Sequence, residues 1–130
     1  MNILKCYKVH MVAALLCVAA SAHAETLSGI GSGGATQTKV VCYIYNAGPG
    51  AVSVTAKNIY SEVYGTQTIA FDSCSSSVAD GAICAFVANI TAAVSGNVCT
   101  ITFSPSAANV RGSMEIRDSS AKVLSNVLLR

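Results

Sequence analysis

The residues able to do chemistry are few: six cysteines, two histidines, a scatter of carboxylates and lysines, and five tyrosines in 130 residues. Both histidines, His10 and His23, and two cysteines, Cys6 and Cys17, fall in a stretch that reads as a removable export signal. Lys5 and Lys8 form its positive start, Met11 to Ala20 its apolar centre, and Ala22-His23-Ala24 an A-x-A cleavage site. Cleavage after Ala24 leaves 106 residues with six basic and six acidic side chains, four cysteines and no histidine. Leu16 is too bulky to precede a lipid-modified Cys17, so the expected product carries no lipid and is periplasmic or secreted. A mature chain without histidine lacks the usual general base near neutral pH.

The four remaining cysteines, Cys42, Cys74, Cys84 and Cys99, lack the C-x-x-C spacing of a redox pair and the clustering of a zinc site. In an exported domain they read as two structural disulfides. Three pairings are possible. Cys42–Cys99 and Cys74–Cys84 is preferred, because the first two lie mid-strand among inward residues and the second two bracket a short polar loop. Asp72 and Asp80 flank that loop as the one candidate carboxylate pair, and they read as turn-forming aspartates. Lys57 and Lys122 fall at outward positions of alternating strands and Lys39 at a strand start, so none offers the desolvated amine that Ser/Lys catalysis requires. No metal, no cofactor and no enzymatic activity are expected.

Two motifs are weaker than they look. Gly29-x-Gly31-x-x-Gly34 matches the dinucleotide fingerprint, but no strand precedes it and no helical period follows. Arg111, Arg117, Lys122 and Arg130 alternate with Glu115 and Asp118, which reads as a solvated hairpin face. A charge-balanced chain with no basic stripe excludes nucleic-acid binding. No apolar run after the signal reaches the roughly 18 residues of a membrane helix, so no membrane span is expected.

The elements that must position these residues follow a period of two. Residues 25–36 read as a flexible Gly/Ser-rich leader and residues 37–130 as the folded domain. Thr38 to Tyr45 is β-branched and aromatic on both faces, and Asn46-Ala47-Gly48-Pro49-Gly50 is a turn. Val52, Val54 and Ala56 alternate with polar residues. Gly65 opens a strand with Ile69 and Phe71 inward, and Asp72 to Asp80 is a loop. Ile83 to Ile90, Cys99 to Phe103, Gly112 to Arg117 and Lys122 to Leu129 complete about seven strands, and Thr91 to Val94 allows one helical turn. The fold class is all-β, an antiparallel sandwich. Tyr43, Tyr45, Tyr60 and Tyr64 either form one flat patch for a protein or glycan partner or, favoured by their strand positions, fill a core that has no tryptophan.

Asn46-Ala47-Gly48 with Ala51-Val52-Ser53-Val54, Phe71-Asp72-Ser73-Cys74, Ala79-Asp80-Gly81-Ala82-Ile83-Cys84 and Phe103-Ser104-Pro105 resembles the immunoglobulin-like modules of the ASPM/Hydin type. The resemblance spans Val40 to Leu129. It implies an immunoglobulin-like β-sandwich used for association, without catalytic residues; the expected function is an exported non-catalytic module for protein association or envelope structure. The alternative is an accessory binder or inhibitor that takes a protein or glycan through the tyrosines or the Asp72–Asp80 loop. A hydrolase using Asp72 or Asp80 ranks last.

Overall fold

The computed structural model describes residues 24–91, 94–104 and 108–130. All of the expected signal except Ala24 lies outside these residues, as do Ala92 and Ala93 of the ambiguous turn and Pro105. In chain order the strands are β1 (Glu25–Gly31), β2 (Lys39–Asn46), β3 (Val52–Ser61), β4 (Gly65–Thr66), β5 (Ile69–Asp72), β6 (Ser77–Val78), β7 (Ile83–Asn89), β8 (Asn97–Ser104), β9 (Val110–Arg117) and β10 (Val123–Leu129). One antiparallel sheet runs β1-β8-β3-β4, with β6 also on β3; the other runs β10-β9-β2-β7-β5. The two pack face to face, so the all-β sandwich expected from the periodicity is the observed architecture.

The core forms where the inward phases meet. Val40, Cys42 and Ile44 of β2, Phe86 of β7, Cys99, Ile101 and Phe103 of β8, and Met114 and Ile116 of β9 are fully buried. Large side chains are supplied by Phe86 and Phe103 rather than by tyrosine. Cys42 and Cys99 join the centres of the two sheets, with Cα atoms 6.3 Å apart and 57 residues between them. Cys74 and Cys84 tie the loop after β5 to β7, with Cα atoms 4.8 Å apart. Both pairings are those preferred from the sequence.

Four expectations need correction. The leader at 25–36 is structured: β1 pairs with β8 from Glu25↔Phe103 to Gly31↔Asn97, and Gly34–Thr36 forms a 3-10 turn. Its glycines are there for packing. Extra atoms at Gly29, Gly31 and Gly33 would stand 2.8, 3.0 and 2.6 Å from Leu129, Val127 and Ile116. Counting β1, and dividing the 65–80 stretch into β4, β5 and β6, gives ten strands among the described residues instead of about seven. Phe71 points outward and is 58% exposed, while Ile69 packs against the core; a register shift between the two reverses the phase. A second shift between Val54 and Ala56 puts Lys57 opposite the inward Ile101, so Lys57 does not face outward as the alternation predicts.

Candidate functional site

Lys57 and Asp72 meet through the second of these irregularities. The Lys57 ammonium pairs with the Asp72 carboxylate and donates to the Ser75 carbonyl at 2.8 Å. The other Asp72 oxygen accepts the Cys74 N–H at 2.9 Å. The pair closes the open margin between the sheets beside the Cys74–Cys84 bridge. Asp80 lies exposed in the turn before Gly81, and among the described residues no hydrogen bond or ion pair joins it to Asp72. Among the described residues, no group of three or more His, Cys, Asp or Glu side chains could hold a metal ion.

The tyrosines do not form one patch, and they do not fill the core. Tyr43 and Tyr45 project from β2, whose alternate residues Cys42 and Ile44 face inward. Tyr60 projects from β3 between buried Ile59 and Ser61. The first two thus belong to the outer face of one sheet and Tyr60 to the outer face of the other; Tyr64 follows Tyr60 in the turn before β4. Tyr45, Tyr60 and Tyr64 are between 42% and 47% exposed. Tyr60 lies in register with Val98 and Ile30, making a short apolar row across β3, β8 and β1.

The β2 face is the more developed of the two. Across the sheet, Tyr45 lies between Ile83 and Arg111, and Tyr43 between Ala85 and Ser113, with Leu128 of β10 beyond Ser113. Ser113 is small, so it leaves a floor between the large side chains on either side. The result is a groove of about 400 Å³ lined by Tyr43, Tyr45, Ile83, Arg111, Ser113 and Leu128. Ile83 is 71% and Leu128 64% exposed, a large apolar outlay for a sheet surface.

Charge frames the groove at both ends. Arg117 donates to the Tyr43 hydroxyl at 2.9 Å and pairs with Glu115, whose other oxygen accepts from Asn126. The Arg117 guanidinium lies 6.0 Å from the Tyr43 ring centre, and its bond to Glu115 raises its already high pKa. This network holds Tyr43 as a fixed wall. At the opposite end, Arg111 donates one guanidinium nitrogen to the carbonyls of Ala108 and Val110. Among the described residues no carboxylate lies within ion-pair distance of it. Arg111 was read from the sequence as part of a solvated hairpin; the tyrosine-lined groove it borders was missed, because its walls come from four strands.

A polar cluster the sequence did not reveal closes one end of the sandwich. Gln37 donates to the carbonyl and hydroxyl of Ser95 at 3.2 and 3.0 Å and accepts the Gly33 N–H at 2.8 Å. Asn97 donates to Gln37 and to the Ser95 carbonyl. All three residues are buried. The cluster anchors the chain between β1 and β2.

Among the described residues no helix is long and apolar enough to cross a membrane. Comparison with protein-family models, with characterised proteins and with solved structures returns no match for this chain.

Proposed function

We propose that this chain is an exported, non-catalytic β-sandwich module that associates with another protein through the outer face of the β2 sheet. The observation that carries this reading is the groove between Tyr43, Tyr45, Ile83 and Leu128: apolar, exposed, and held open by small Ser113. Large rigid aromatic side chains beside an arginine are the composition of interaction hot spots. Two disulfides suit an oxidising compartment, which supports an export signal over residues 1–24 and a periplasmic or secreted product. The resemblance to ASPM/Hydin-type modules points toward association as well. Asp72, engaged by Lys57 and by the Cys74 N–H, reads as a structural carboxylate, which weighs against a hydrolytic role for it.

The test is chemical cross-linking in envelope extract, with the captured partner identified by mass spectrometry. Tyr45→Ser with Leu128→Ser should reduce capture of that partner at least tenfold, whereas Tyr60→Ser on the opposite face should leave it intact. Equal loss from both faces would defeat the assignment of the site. Saturable binding of one small glycan, unaffected by the partner protein, would favour an accessory binder over an association module.

A further inference from the structure

β1 occupies an unusual seat. It bonds to β8 along seven residues and reaches the other sheet through a reciprocal pair, Ser28 N–H to Arg130 O at 3.0 Å and Arg130 N–H to Ser28 O at 2.9 Å. It therefore bridges the margins of the two sheets. Its inward positions are Leu27, Gly29 and Gly31, followed by Gly33 just past the strand. An added Cβ at Gly31 would lie 3.0 Å from Val127 and 3.1 Å from Met114; at Gly33 it would lie 2.6 Å from Ile116 and 2.9 Å from Leu124. The seat thus selects a strand of the pattern Leu-x-Gly-x-Gly-x-Gly. In this sequence that pattern occurs once, at residues 27–33.

We propose that the seat between β8 and β10 also accepts β1 from a second copy of this chain, so that the protein assembles by exchange of its first strand. The occupant follows from the glycine pattern, which within this sequence only residues 27–33 match. Three further features favour exchange. β1 precedes every other described strand, so it leaves without threading through the fold. It contributes one buried apolar side chain, Leu27, and is held besides by backbone hydrogen bonds and the Thr26–Thr102 hydroxyl pair, all of which re-form identically on another copy. The connection to β2 carries Gly33 and Gly34, the latter at φ +74, before the buried Gln37 fixes the chain. Residues 34–36, when extended, span about 10 Å and form the connection that must open for β1 to leave its own seat. Because the same contacts form within one chain or between two, protein concentration sets the balance. This inference is independent of the groove on the β2 face.

Thr26 and Thr102 provide the test. They are paired in the β1–β8 ladder, with their hydroxyls 2.8 Å apart. One copy carries Thr26→Cys alone and the other Thr102→Cys alone, so neither can form this bridge within itself. Mixed at high concentration under mild oxidation, they should give a covalent dimer joined between positions 26 and 102. Its yield should exceed at least tenfold that from Thr26→Cys mixed with Lys122→Cys, a loop control. Equal yields would overturn the proposal. Because an added thiol can scramble native disulfides, unaltered chains of ordinary and nitrogen-15 mass are also mixed and examined by native mass spectrometry. Mixed-mass oligomers that increase with concentration are expected. Monomers at every concentration would overturn it.

Discussion

Asn46 ends β2 with a single amide serving three segments. Its side-chain nitrogen donates to the carbonyls of Gly50, Val78 and Ala79 at 2.8, 3.1 and 3.3 Å, and its oxygen accepts the Gly48 N–H. The residue is 1% exposed. Asn46→Ala would strand the buried Val78 carbonyl and Gly48 N–H, and we expect a loss of about 2–3 kcal/mol in chemical denaturation. Asn46→Asp should be no better, because a carboxylate cannot donate to those carbonyls; stability within 0.5 kcal/mol of the original for either variant would contradict this account. The sequence marks Asn46 as the start of a turn. It does not show the bonds to Val78 and Ala79, more than thirty residues away. Lys57 makes the same point: its residue type and neighbours predict an outward lysine, and one extra residue in β3 turns it inward to Asp72.

At the scale of elements, strands with strict alternation were legible and irregular ones were not. β8 and β9 bury every second residue as their sequences predict. β3 and β5 contain register shifts, which change no residue type and so leave no mark on the apolar pattern. β1 was missed for a related reason, since its inward positions are glycines and an apolar count reads them as a flexible tract. The β9–β10 turn supports a pH prediction. The Asp118 carboxylate accepts from the Ser120 hydroxyl at 2.7 Å and from the N–H groups of Ser120 and Lys122. These bonds, the Ser120 hydroxyl first, lower its pKa below the ordinary 3.8. A carboxyl with a depressed folded pKa stabilises in its ionised form. Its contribution is present above the unfolded value and disappears as pH falls through the lower folded one. Thermal midpoints of the original chain and of Asp118→Asn should therefore run parallel above about pH 5. Below that the difference between them should narrow, and a constant difference down to pH 2 would refute the assignment.

At the scale of the whole molecule, the two bridges do different work. Cys42–Cys99 joins the sheets at their centres and closes 57 residues; Cys74–Cys84 closes ten at the margin. Replacing Cys42 and Cys99 with alanine should cost about 4 kcal/mol and replacing Cys74 and Cys84 about 3 kcal/mol, on the loop-entropy scale. Because Cys42 and Cys99 are fully buried, the cavity left behind should widen that difference. Denaturant unfolding of the two double variants checks the order, and a greater loss from the marginal pair would reverse it. Sequence alone determined that this is an all-β sandwich and favoured one of three cysteine pairings, because strand alternation and the position of a cysteine within it are local properties; the structure decided the pairing. Only the tertiary structure decided which outward side chains become neighbours. It separated Tyr60 from Tyr43 and Tyr45, placed Leu128 and Arg111 beside the latter, and seated β1 between two sheets. Those relations depend on strand order and register, which are set by long-range pairing and not by the identity of any one residue.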